Sequence, residues 1–171
     1  MHARHAARLH CRRGCAGCCA DDLTVFEVEA ERIRVRAPEV LREAPHPPGA
    51  CAFLDAGGAC RIYAHRPYVC RTQGLPLRWL DDEAPDGPVE RRDVCPLNEA
   101  GPPVEGLPAD ACWELGPVEA RLAALQAGHG GGPLRRVRLR DLFGPKDCRS
   151  GDLPPELPPT PRAGPRRAPG T

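Results

Sequence analysis

A chain of 171 residues with a formal net charge of +1 has room for one domain plus extensions. Hydrophobic residues make up 41% but aromatics only 4%, so the core is thin and calls for a staple, which ten cysteines can supply. No run approaches the length of a membrane-spanning helix and the opening MHARHAARLH lacks the apolar segment of a secretory signal, so the expectation is a soluble, cytoplasmic protein.

Residues 1–10 show no apolar period and are expected to be a flexible lead-in. The stretch Cys11 to Cys19 then reads CRRGCAGCC. Beyond it, Leu23-Thr24-Val25-Phe26 is a short β-prone run. The acidic Glu27-Val28-Glu29-Ala30-Glu31 opens a helix with charges suited to its N-terminal dipole. That helix should stop near Ala37, because Pro38 restricts the residue before it, and Pro38 can itself open a second short helix to about Glu43. His46 to Ala50 is a connector.

Cys51 to Asp55, the turn Ala56-Gly57-Gly58 and Ala59 to Tyr63 predict a β-hairpin. Arg66-Pro67 starts a short helix carrying Cys70 one turn in. A second hairpin runs from Leu75 to Leu80, through an acidic turn, and back along Val89 to Val94, ending at Cys95-Pro96. Pro117 begins the best helix, Val118 to Ala127, with Val118, Leu122 and Leu125 on one face. Leu134 to Phe143 fits a strand or a short helix. The Pro-rich tail, 144–171, should be disordered, which leaves residues 11–143 as the domain.

Both ends of the chain are basic and the middle is acidic. A basic tail can mark an acidic partner. However, Lys146 is the only lysine among abundant Ala, Arg, Gly and Pro, the composition of a G+C-rich genome, so the tail reads as a solvated extension and nucleic acid is not an expected partner.

The cysteines carry the chemistry. Thiols in the cytosol stay reduced, and clustered ones there bind metal more often than each other; a disulfide scaffold is the rival. Cys15 and Cys18 form a C-x2-C pair, the smallest loop that offers two sulfurs to one ion. On a helix, Cys11, Cys15 and Cys18 would share a face, while Cys18 and Cys19 would point about 100° apart. That geometry favours two sites, or one bridged polynuclear site, over a single tetrahedral zinc. Cys51, Cys60, Cys70 and Cys95 bring the cluster to eight. Cys112, beside Trp113, and Cys148, in the tail, read as ordinary small hydrophobes. Arg12, Arg61 and Arg71 directly follow cysteines and could offset the charge of a thiolate-bound ion. His10 and His65 are candidate nitrogen ligands, though an ordinary exposed or hydrogen-bonded histidine is the plainer reading of each.

Two resemblances bear on this pattern. Cys11-x3-Cys15-x2-Cys18 is similar to the four-iron cluster motif of radical S-adenosylmethionine enzymes, but no strand precedes it, Gly17 stands where an aromatic belongs, and repeated βα units are missing. The wider pattern resembles the zinc- or iron-chelating cysteine-cluster family, the YkgJ-like proteins. It is carried by Cys11-x3-Cys15-x2-Cys18-Cys19, Cys51-Ala52-Phe53-Leu54, Cys60-Arg61-Ile62-Tyr63, Arg66-Pro67, Cys70-Arg71 and Cys95-Pro96, over about residues 11–98. The resemblance implies bound zinc or an iron-sulfur cluster. Some flagellin lysine methylases look similar over the cluster but are longer, and nothing here matches a methyl-donor pocket.

The expectation is therefore an α+β, small, irregular, metal-stapled domain of short helices and β-hairpins. Cys11, Cys15, Cys18, Cys19, Cys51, Cys60, Cys70 and Cys95 would be its metal ligands, with a structural, electron-transfer or metal-handling role. The alternative is an iron-sulfur-dependent enzyme, an oxidoreductase or a protein-modifying methyltransferase.

Overall fold

The computed structural model describes residues 1–129 and 135–144. Apart from Gly144, the expected disordered tail, with Cys148, lies outside the described residues. The fold is α+β, with short helices and two small sheets.

Strand β1 (Thr24–Phe26) runs directly into helix α1 (Glu27–Arg36). The Glu29 carboxylate folds back to accept the Phe26 N–H at 3.3 Å, satisfying one of the free donors of a helix start. Ala37 ends α1 and Pro38 opens α2 (Pro38–Arg42), where a missing N–H costs nothing. The helix carrying Cys70, α3 (Tyr68–Thr72), is tied to α1 by the same Glu29, whose other oxygen accepts the Tyr68 N–H at 2.6 Å.

Strands β2 (Leu77–Asp81) and β3 (Val89–Asp93) pair antiparallel, as the second predicted hairpin requires, and β4 (Trp113–Glu114) adds in parallel on the other side of β2. Helix α4 (Gly116–Gly128) follows. Its inward face differs from the expected one: Leu125 is exposed and Gln126 is buried. The Gln126 side chain accepts the Glu27 N–H at 2.6 Å and donates to the Arg135 carbonyl at 2.8 Å, joining α4 to the start of α1. Both alternatives expected for Leu134 to Phe143 occur in turn over the described residues 135–143, as β5 (Arg136–Arg138), paired antiparallel with β1, and then a 3-10 helix, Leu139–Phe143.

The first predicted hairpin is reduced to a single bridge, Leu54 to Cys60. Cys51, Ala52, Phe53 and Leu54 are all buried, so this segment has no solvent face to alternate with and coils as a buried turn. Phe53 and Leu54 sit in the main core with Val25, Ile33, Val40, Ile62, Leu139 and Leu142. A smaller core gathers Val94, Val104 and Cys112, consistent with the hydrophobe reading of Cys112.

Residues 1–10, expected as a flexible lead-in, are fastened to the 98–112 segment by polar contacts. Arg4 pairs with Asp110 at 2.9 Å, the buried His5 ring meets the Ala111 carbonyl at 2.6 Å, and the buried Arg8 donates to the Pro102 carbonyl at 2.5 Å. Such bonds leave no apolar period in the sequence, which is why the segment looked unstructured.

Candidate metal centre

The knuckle is not helical. Two successive turns shape it, closed by the Cys15 N–H on the Arg12 carbonyl at 3.0 Å and the Cys19 N–H on the Ala16 carbonyl at 2.9 Å. Gly14, at φ +84°, makes the first turn possible. Its backbone lies against that of Gly58, φ +74°: a side chain on Gly58 would sit 3.5 Å from the Gly14 carbonyl oxygen, and one on Gly14 3.6 Å from that of Gly57. Two glycine turns thus pack backbone to backbone and bring the loops of Cys15 and Cys60 together. The Cys51 N–H donates to the Cys19 carbonyl at 2.9 Å, joining a third cysteine to the knuckle.

Each remaining cysteine is held by its own element. Cys60 is fixed by the bridge to Leu54 and by the Asp55 carboxylate, which accepts the Gly57 and Ala59 N–H groups at 2.8 Å. Cys70 is in the first turn of α3, with its N–H on the Pro67 carbonyl at 3.1 Å. Cys95 starts a 3-10 turn closed by the Asn98 N–H on its carbonyl at 2.7 Å.

The electrostatic influence of the thiols on one another shows which are neighbours. Cys19 responds to Cys18, Cys51 and Cys70; Cys70 to Cys51, Cys60 and Cys18; Cys95 to Cys11, Cys18 and Cys15. All eight predicted positions therefore join one network, in which Cys19, Cys51, Cys60 and Cys70 form one group, Cys11 and Cys15 act on Cys95, and Cys18 acts on both. Packing follows this grouping in part, with Cys15, Cys19, Cys60, Cys70 and Cys95 all half-buried. Cys51 is in the main core and Cys19 and Cys60 lie against it, whereas Cys11 and Cys18 are exposed.

Cys18 and Cys19 do not point apart, because the turn replaces the helix that would have splayed them. A hydrogen bond from the Cys19 thiol holds a Cys18 thiolate at about 6, with help from Arg66 against the cost of burial. The same contact drives Cys19 strongly upward. Burial pushes Cys70 up to about 12, reinforced by the negative charge of Cys51, Cys60 and Cys18. Burial is also the first cause of the upward shifts of Cys51, Cys60 and Cys95. The donors are gathered, not closed: among the described residues, no three His, Cys, Asp or Glu side chains already stand where they would hold a metal ion. Nine cysteines among the described residues are free thiols, and soft sulfur donors in this number suit zinc or iron.

The arginine that faces the thiols is Arg66, which lowers Cys18, Cys60 and Cys70. It stacks on Tyr63, 3.8 Å from the ring centre, and donates to the Cys70 carbonyl at 3.3 Å. Arg61 also lowers Cys60, while it pairs with Glu43 at 2.9 Å. Arg71 turns to the Arg66 and Ala64 carbonyls. Arg66 was visible in the sequence only as part of Arg66-Pro67, with nothing local to mark it as the charge partner. Of the two histidines, His10 contributes a backbone N–H to Asn98 at 2.8 Å, and His65 closes a 3-10 turn on the Ile62 carbonyl. Two surface concavities, along Arg121 to His129 and between Glu43 and Arg61, contain no cysteine. No helix among the described residues is long and apolar enough to cross a membrane.

No curated protein and no solved structure matches the chain. Residues 10–87 match the family model "Putative zinc- or iron-chelating domain", CxxCxxCC. The match takes in Cys11, Cys15, Cys18, Cys19, Cys51, Cys60 and Cys70 and ends before Cys95, short of the residue 98 to which the sequence resemblance was drawn. Over residues 10–87 the chain is thus similar to the zinc- or iron-chelating domains of the CxxCxxCC family.

Proposed function

We propose that the eight thiols form two four-sulfur sites with different tasks. Cys19, Cys51, Cys60 and Cys70 would be an inner site that staples the core, and Cys11, Cys15, Cys18 and Cys95 an outer site that exchanges its metal or passes electrons. The observation that carries this reading is the overlap between thiol neighbourhood and packing: of the four thiols that sense one another as the inner group, Cys19, Cys51 and Cys60 are set in or against the main core, and the two exposed thiols belong to the other group.

Four thiolates suit a tetrahedral zinc or the corners of an iron-sulfur cluster, which when bound would supply structural cross-linking or one-electron chemistry. The protonated state of Cys51, Cys60 and Cys70 at neutral pH means that loading the inner site releases protons. Arg66, which lowers thiols of both groups, offsets part of the negative charge that thiolate ligation leaves.

A bridged, polynuclear centre is the second reading. It is favoured by Cys18, which is hydrogen-bonded to Cys19 of the inner group and acts on Cys70 there as well as on Cys95 of the outer. Zinc-loaded protein challenged with a chromogenic chelator separates these outcomes. Two independent sites release about half the metal quickly and half slowly, and Cys18→Ser removes only the fast half. A bridged centre empties in one phase, and Cys18→Ser then lowers the whole. Absence of thiolate-bound zinc would contradict both readings.

A further inference from the structure

Asn98 is fully buried and its side chain joins three separate stretches of chain. Its carbonyl oxygen accepts the His10 N–H at 2.8 Å. Its amide nitrogen donates to the Gly74 carbonyl at 2.7 Å and to the Cys11 sulfur at 3.4 Å, within the longer reach of a sulfur acceptor. The backbone N–H of Asn98 meanwhile meets the Cys95 carbonyl at 2.7 Å. The partners fix the amide's orientation, since an N–H on one side demands its oxygen and a carbonyl on the other demands its nitrogen. Gly74, at φ +91°, completes the cradle: a side chain there would come within 2.7 Å of the Cys11 sulfur and 3.0 Å of the Asn98 nitrogen.

We propose, resting on the two-site reading, that Asn98 is the positioning residue of the outer site, clamping Cys11 toward Cys95 and donating an N–H to the Cys11 sulfur. Cys11 is exposed, and the buried amide holds both its sulfur and the N–H of the residue before it. An N–H aimed at a ligating sulfur also stabilises the charge that the sulfur carries when bound to metal. No other residue type fits as well. Asp would supply two acceptors where the Gly74 carbonyl and Cys11 need a donor, and Leu would leave the His10 N–H and the Gly74 carbonyl buried without partners.

The test uses Co(II) as probe on the reduced, metal-free full-length chain, read by sulfur-to-cobalt charge-transfer absorption. Wild type should fill both sites. Asn98→Asp should lose about half of the absorption, and in the metal-free form Cys11 should be alkylated at least about fivefold faster relative to Cys70 of the same molecule, with Cys112 still protected. A second measurement needs no variant: in wild type loaded with cadmium-113, the Asn98 side-chain amide proton should couple to the metal through the Cys11 sulfur. Full Co(II) absorption in Asn98→Asp with unaltered Cys11 alkylation, or a cadmium spectrum without that coupling, would overturn the assignment. Wild type that takes up neither Co(II) nor cadmium on sulfur would instead overturn the metal-site reading beneath it.

Discussion

Replacing Phe53 by alanine tests whether the thiols are mounted on the main core. Phe53 is 1% exposed and its ring meets that of Phe143 with centroids 4.8 Å apart at 49°. It stands between Cys51 and Cys60, and its carbonyl accepts the Arg61 N–H at 2.9 Å. Truncating a buried Phe to Ala typically costs about 3–5 kcal/mol through lost transfer energy and the cavity left behind, a large share of the ~5–15 kcal/mol that holds most domains folded. With a urea m-value of about 2 kcal/mol/M, the midpoint of the metal-free protein should fall by about 2 M, followed by circular dichroism under reducing conditions. Phe53→Leu, which keeps most of the volume, should cost less than about 1.5 kcal/mol. Zinc-loaded Phe53→Ala should recover much of the loss, because ligation adds to folding free energy. A midpoint shift below about 0.5 M in Phe53→Ala would refute the placement of this residue at the centre of the core.

Arg140 pairs with Asp21 and donates to the carbonyls of His46 at 2.8 Å and Ala50 at 2.9 Å. Arg140→Ala should therefore cost on the order of 2–3 kcal/mol and speed alkylation of Cys51. Arg140→Lys should restore little, since an ammonium cannot fork to these partners. Gln126→Leu should cost about 1–3 kcal/mol in a thermal or urea melt, because it strands the Glu27 N–H and the Arg135 carbonyl. The metal-free, reduced protein should be most stable near pH 9. From about 6 to 9 the folded chain has already released the Cys18 proton that the unfolded chain still holds, so stability rises with pH. From 9 to about 12 the folded chain retains the Cys70 proton that the unfolded chain gives up, so stability falls, with Cys51, Cys60 and Cys95 acting in the same direction. Melts across pH 6 to 11 that decline steadily from pH 7 would contradict this.

What the sequence made legible is what local chemistry governs. Pro38 marked the boundary between α1 and α2, the glutamates at 27 and 29 marked a helix start, and the acidic turn separated β2 from β3. The buried segment 51–54 was drawn as a strand because its residues suit one, yet burial on every side removed the alternation that a half-exposed strand needs. Helix α4 was placed correctly but rotated, since a buried glutamine with two backbone partners outweighed Leu125 for the inward position. The centre itself was harder to read. Its assembly depends on Gly14 meeting Gly58, on Asn98 reaching back to His10 and Cys11, and on Arg66 facing three thiols. These contacts join residues far apart in the chain, and no local period announces them. Helix geometry set Cys18 apart from Cys19, whereas the turn brings these two thiols into hydrogen-bond contact, and nothing in the cysteine spacing announces that turn.

The central claim is that eight thiols hold metal in two sets of four. Metal content per chain, measured together with X-ray absorption at the metal edge on anaerobically purified protein, tests it most directly. The account predicts two zinc ions or two iron-sulfur clusters per chain with an all-sulfur first shell. It also predicts that Cys11→Ser with Cys95→Ser removes one of them, Cys51→Ser with Cys70→Ser removes the other, and Cys112→Ser removes neither. A first shell of nitrogen and oxygen, or metal content unaltered by all three substitutions, would contradict it.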